Sequence, residues 1–397
     1  MGKRELLLVV GFLLAGIIVY QATAPPPGPD ERGLSIGRLV EAARRHVSGN
    51  RSMVELTTTT THKLSSELTE LRITGTIAEL DVEGEDRADV ESTLYVNSRA
   101  YNDAEARQYA QQSRLLADQT ASALILRMDF PTPGRQRSTV KLKVPKRLLV
   151  RVEPGSGRLG VTNVAAVEIA GTRGEAKLRQ IAGRVEVAHR GGEVTIEDVG
   201  SLVFNGRSGE LKLTGVRGDT TIKMDGGGDI TASRLAGGLD VEGRNTTITL
   251  EDLQPTRGPI RVNAVGGEVT MKGLKSNARI DVRNAELRLA MVGPAQVAIY
   301  NEGETIALTP PPGGFNIDAL VIDGRVTPDN RIAELGLTLT RADSDKESRL
   351  VGAVKGGGPT ITVRSTRGDL ALQARDVEKP REGETARDEK PKEDRSK

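Results

Sequence analysis

Residues 209–230 read GELKLTGVRGDTTIKMDGGGDI. The stretch holds an Arg-Gly-Asp tripeptide and an Asp-Gly-Gly-Gly-Asp loop, either of which could pass for a ligand site. A periodicity accounts for both. Counted from Gly209, apolar residues stand two and four positions on, at Leu211 and Leu213, and again at seven, at Val216. Gly218 repeats the pattern with Thr220 and Ile222 but has Asp225 at the seventh place, and Gly228 repeats it with Ile230, Ala232 and Leu235.

The pattern extends both ways. Gly174 leads to Ala176, Leu178 and Ile181; Gly192 leads to Val194, Ile196 and Val199; Gly183, Gly200 and Gly237 lead instead to Arg190, Arg207 and Arg244 at the seventh place. The repeat is therefore two units, about 18 residues. Residues two and four places after the glycine share one face of a short strand. Glycine takes the corner, where a side chain would clash or φ must be positive. One unit cannot bury its apolar face alone, so coils must stack. The expected fold is all-β: a single-stranded β-solenoid, or β-helix, with two strands per coil, one corner plugged by an apolar residue and the other polar. At 254–257, QPTR, the register slips, and two plugged units are expected in succession, ending at Val265 and Leu274, with one face bulging there.

The flanks differ. LRITGTIAELDVEG and VESTLYVNSRAY alternate as strands, and the threonine run 57–61 reads as an edge strand or linker. Residues 103–117 have helical spacing, with Asp103 as cap and Ala106, Tyr109, Ser113 and Leu116 on one side; this inserted helix is expected to cover an edge or an end, where unpaired strand groups need a cap. The N-terminus, MGKRELLLVVGFLLAGIIVY, places Lys3 and Arg4 before an apolar run. It reads as an uncleaved signal-anchor helix with the bulk of the chain exported. Ala22-Thr23-Ala24 offers a cleavage site, but Pro25 follows directly. The divisions are a membrane-anchor helix at 1–24, a Pro-rich spacer with a short amphipathic helix at 25–52, N-terminal solenoid strands with the inserted helix at 53–154, the repeat domain at 155–376 and a charged, disordered tail at 377–397.

Composition narrows the function. Acid and base nearly cancel, at 54 and 56 residues, which leaves no global footprint for nucleic acid. There is no cysteine, hence no disulfide or thiolate chemistry, and aromatic residues make up 2% of the chain, too few for many stacking platforms.

Three segments together resemble the bacterial putative adhesin family: STVKLKVPKRLLVRVEPGSGRLGV, the array of glycine-led units, and the close GGGPTITVRSTRGDLAL. The resemblance spans roughly residues 70–375. It implies a β-solenoid facing the cell envelope, often behind a membrane anchor, and carries over no catalytic residue.

No catalytic, cofactor or metal site is expected. His46, His62 and His189 read as surface residues, and no two-histidine metal spacing exists. A solenoid polysaccharide enzyme would draw on Asp219, Asp225, Asp229 and Asp240, which fall at corners or unit starts, where any soluble solenoid needs polar residues, with Asp225 to Asp229 as a polar corner. GGGDI fails the spacing of the calcium-binding nonapeptide. The one basic cluster, Arg135, Arg137, Lys141, Lys143, Lys146, Arg147 and Arg151, reads as a solvated face or a contact for anionic headgroups or anionic cell-wall polymer. The expected role is a membrane-anchored binding or scaffolding module on the periplasmic side. Its partners would be lipid at the N-terminal helix and an envelope protein or anionic cell-wall polymer. The rivals are a regulator acting through a membrane partner, an end-to-end polymer and a polysaccharide enzyme.

Overall fold

A computed structural model describes residues 52–374, apart from 133, 154–155, 254–256, 331–335 and 342–345, together with Gly16. The expected anchor helix, spacer helix and charged tail lie outside the described residues, as does His46. Among the described residues no helix is long and apolar enough to cross a membrane.

The fold is all-β, with 26 strands in one hydrogen-bonded network and one helix among the described residues that spans Asp103–Gln112. Through the middle of the chain every pairing is parallel. Val167 pairs with Val185, Val185 with Leu202, and Phe204 with Ile222 along one face. Leu178 pairs with Ile196, Ile196 with Leu213, and Leu213 with Ala232 along the other. Apart from Val167, these are the residues two and four places after a glycine, and all are buried. The plugs Ile181, Val199, Val216, Leu235, Leu253 and Leu274 join them in one aliphatic core, in which Phe204 is the largest fully buried side chain. Each buried aliphatic side chain contributes about 1.5–3 kcal/mol over its exposed state.

The corner glycines are required by close approach. A Cβ at Gly192 would lie 2.2 Å from the Gly174 carbonyl oxygen, and one at Gly209 would lie 2.2 Å from that of Gly192. The residue before each plug takes a left-handed conformation, as at Asp198 (φ 56) before Val199 and Arg234 (φ 54) before Leu235.

The 254–257 insertion does not bulge a face. Val241 pairs with Val262 and Ile248 with Val269 without a register shift, so both strands absorb the longer step together. Val265 is not a plug. It is 39% exposed and stands in register between Arg244 and Arg283, in the polar-corner column. The alternation of corners survives the insertion, and this polar-corner unit happens to carry valine there.

Both ends fold back. Near the N-terminus, Glu70–Thr74 pairs with Ala123–Asp129 on one side and Leu149–Val152 on the other, so the earliest coil is interior to the stack. Outside it, Arg114–Gln119 runs antiparallel to Ala123–Asp129, while Asp89–Ala100 and then Ser52–Lys63 extend antiparallel from Gln136–Pro145. The threonine run is thus part of an edge strand. At the other end, Thr360–Thr366 inserts between Val297–Glu302 and Phe315–Ile322. A strand late in the chain is therefore interior in space, and antiparallel Glu347–Val354 and Thr338–Arg341 close that face.

The helix is shorter than its sequence pattern. Asn102, not Asp103, is its cap and accepts the Glu105 amide at 2.8 Å. Ser113 leaves the helix, and Arg114–Gln119 becomes a strand because an edge is available to it. Ala106 and Ala110 form the buried side, packed on Ser52–Lys63 and Asp89–Ala100.

Candidate binding surface

Six neighbouring strands build a groove on the outer face of the N-terminal half: Ser52–Lys63, Asp89–Ala100, Gln136–Pro145, Glu79–Glu85, Ser156–Thr162 and Ala166–Arg179. Alternation sends their odd-numbered or even-numbered apolar residues inward and leaves polar ones outward. The groove encloses about 880 Å³. Register aligns its floor: Thr57 stands opposite Tyr95, Tyr95 opposite Thr139, Thr139 beside Glu79, and Glu79 beside Arg158.

The two walls differ in charge. On one, Arg158 bridges Glu79 at 3.3 Å and Glu175 at 3.1 Å. Hydrogen bonds from Lys177 first, and from Arg158, hold the Glu175 carboxyl below the usual carboxylate range. Asp81 lies beside Gly160, where a Cβ would come within 2.6 Å of its Oδ1. Burial, and then the Glu79 charge, push Asp81 above the usual range, against Lys141 and Arg158. On the other wall, Arg99, Arg137 and Lys141 are exposed, and none of them closes an ion pair with a described residue. Lys141 Nζ sits 5.7 Å from the centre of the exposed Tyr95 ring. Such a contact contributes about 0.5–1 kcal/mol.

The basic cluster read in the sequence is divided by this arrangement. Arg135 pairs with Glu105 at 3.7 Å, Lys143 with Glu85 at 2.9 Å and Lys146 with Asp86 at 2.9 Å. Arg147 donates to the Leu68 carbonyl, and Arg151 pairs with Glu70 and Glu168. Arg137 and Lys141 face the groove, and Arg99 joins them from the neighbouring strand. No local pattern marks Arg99, because the antiparallel pairing that brings it there joins segments about 40 residues apart.

The aspartates with enzyme potential are dispersed. Asp219 Oδ1 accepts the Gly238 amide at 2.9 Å, and Asp225 pairs with Arg244 at 3.6 Å. Asp240 lies between Thr221 and Arg261 on one face. Asp229, expected in a polar corner, points outward from a strand on the other face, next to Glu210. It belongs to a column, Glu193, Glu210 and Asp229, in which Lys212 serves two carboxylates at 3.0 and 2.9 Å. The signal for that column was available: the residue after each plugged-corner glycine is acidic at 175, 193, 210, 229 and 268. Among the described residues no group of three His, Cys, Asp or Glu could hold a metal ion.

The Arg-Gly-Asp tripeptides serve the stack. Arg217 Nη2 donates to the carbonyls of Ile181 at 3.4 Å and Ala182 at 3.1 Å, while Asp219 holds the next coil at Gly238. In the second tripeptide, Arg367 pairs with Glu302, and Asp369 Oδ1 accepts the Arg325 amide at 2.8 Å.

His189 corrects the surface reading. It ends the strand Arg184–His189 facing inward, in register between Thr172 and Gly206, and is 3% exposed. Thr172 Oγ1 lies 3.3 Å from Nδ1, and Nε2 meets no partner among the described residues. It lines a small cavity of about 30 Å³ with Ile73, Leu80 and Leu159. Burial holds its pKa below the ordinary value. His62 is half-buried, 3.3 Å from Ser92 Oγ, and is lowered for the same reason.

No family model matches the chain, and no curated protein matches it significantly. Among solved structures it is similar to a "putative cell adhesion protein" from Clostridium sporogenes, at 8% identity over 82% of this chain and 100% of that one, with a TM-score of 0.19. A "putative lipid binding protein" from Parabacteroides distasonis matches at 12% identity over 80% of this chain and 96% of that one, with a TM-score of 0.28. A "putative adhesin" from Parabacteroides merdae matches at 11% identity over 80% and 96%, with a TM-score of 0.22.

Proposed function

We propose that this chain is a β-solenoid binding module, held at the membrane by its N-terminal apolar run, which engages an anionic cell-wall polymer and performs no catalysis. The observation that carries the reading is the groove wall formed by Arg99, Arg137, Lys141 and Tyr95. Three exposed cations without ion-pair partners among the described residues, beside one exposed ring, suit a ligand of repeated negative charge and sugar-like faces. The groove crosses neighbouring strands at one level of register, an elongated shape that suits a polymer more than a small molecule. The solenoid reading rests on the parallel register, which advances by one layer at each repeat. The envelope reading rests on the basic residues before the apolar run and on the export they direct.

The test is equilibrium binding of a defined polyanionic glycan, with a neutral glycan of equal length as control. Binding that weakens with salt and on Arg137→Ala or Lys141→Ala supports the proposal. Equal binding of both glycans refutes it. Turnover of the glycan, lost on Asp225→Ala or Asp229→Ala, would replace it with the enzyme reading.

A further inference from the structure

The strand Ser52–Lys63 pairs along its whole length with Asp89–Ala100 and with no other strand among the described residues. A free strand edge is a template for another strand, and proteins blunt such edges with short length, charge, proline or bulges. The other outermost strands follow that rule. Val326–Pro328 has 3 residues and ends in proline, and Thr338–Arg341 has 4 residues. Arg114–Gln119 has 6 residues and carries Arg114 and Asp118. Ser52–Lys63 has 12 residues, no proline, no positive φ and no register shift, and residues 56–61 are uncharged.

We propose that this edge pairs with the same edge of a second copy of the chain, antiparallel across a two-fold axis at Thr59. The sequence is self-complementary in that register. Glu55 stands opposite Lys63 of the second copy, Leu56 opposite His62, Thr57 opposite Thr61 and Thr58 opposite Thr60. Outward residues meet outward residues, and the half-buried Leu56 and His62 meet on the inner face. Shifting the axis by one residue to 58 or 60 sets Glu55 opposite Thr61 or Ser65 and loses the charge match. Opposite-charge cross-strand pairs are favourable and like charges are not. The short edges at the other end make the assembly a closed pair and not a filament. The groove rim at Glu55 and Thr57 adjoins the axis, yet the pairing does not depend on what the groove binds.

The full-length chain in detergent should move from monomer to dimer with concentration in sedimentation equilibrium. Glu55→Lys should raise the dissociation constant by about tenfold, and Glu55→Lys with Lys63→Glu should restore it. The chain has no cysteine, so Thr59→Cys provides a clean probe. Opposed Cα atoms in antiparallel strands lie roughly 4.5–5.5 Å apart, within disulfide range. Thr59→Cys should oxidise to a covalent dimer, whereas Thr57→Cys should not. A monomer at every concentration overturns the proposal. So do equal crosslinking of the two variants, a charge swap that fails to restore the dimer, and crosslinking of Thr59→Cys to a different envelope protein in intact cells.

Discussion

Gly192 packs directly beneath Gly174 of the preceding coil: a Cβ at residue 192 would stand 2.2 Å from the Gly174 carbonyl oxygen. The φ of 119° at Gly192 adds a conformation that side chains avoid. Gly192→Ala should therefore cost more than about 2 kcal/mol, since clash and strain combine. At Gly227 a Cβ would meet its nearest atom at 3.9 Å, and φ is not positive. Gly227→Ala should leave stability within about 0.5 kcal/mol. Denaturant titration of the two variants checks the pair.

The first Arg-Gly-Asp tripeptide should behave as structure. Asp219→Ala removes the acceptor for the Gly238 amide and should cost about 1 kcal/mol, read as a lower denaturation midpoint. Arg217→Lys keeps a donor near the Ile181 and Ala182 carbonyls and should cost less. Neither variant should change attachment of the folded protein to cells. Reduced attachment by a fully folded Arg217→Lys variant would make the tripeptide a recognition site.

Stability should fall as pH drops through the histidine range. Burial lowers the pKa of His189 and of His62 in the folded chain below the ordinary 6.5. Below that value the unfolded chain binds more protons than the folded one, so stability rises with pH there and levels off above it. His189→Asn should flatten most of the slope that lies below the ordinary histidine pKa, and His62→Asn should remove a further part. Melting temperature against pH checks this, and unchanged slopes would contradict it.

Much of the fold was legible because its period is written in single residues. Leu211, Leu213 and Val216 declare one coil, and the glycines mark corners where backbones nearly touch. What escaped was set by tertiary context. Val265 looked like a plug because an apolar residue at the seventh place carries no mark of which corner it occupies; only its register with Arg244 and Arg283 decides that. The strand Thr360–Thr366 comes late in the chain but sits inside the stack, because a gap left between Val297–Glu302 and Phe315–Ile322 is filled from a distance. His189 looked polar and therefore exposed, yet strand alternation turns it inward. The groove was legible in part: Arg137 and Lys141 belonged to a visible cluster, whereas Arg99 and Tyr95 reached it by antiparallel pairing that no local pattern encodes.

The Lys212 ammonium neutralises two carboxylates, Glu193 and Glu210, from adjacent coils. Lys212→Ala leaves a column of like charges with Asp229 beyond. The loss should be small at low ionic strength and should vanish in high salt, where exposed charges are screened. Thermal melts at two salt concentrations check it.

The most direct test of the account is calorimetric binding of a polyanionic glycan to the folded chain and to the combined variant Arg99→Gln, Arg137→Gln, Lys141→Gln. Binding to the unmodified chain should weaken as salt rises, and the variant should lose at least about tenfold in affinity with the salt dependence largely gone. Equal affinity of the two proteins, or binding indifferent to salt, would contradict it.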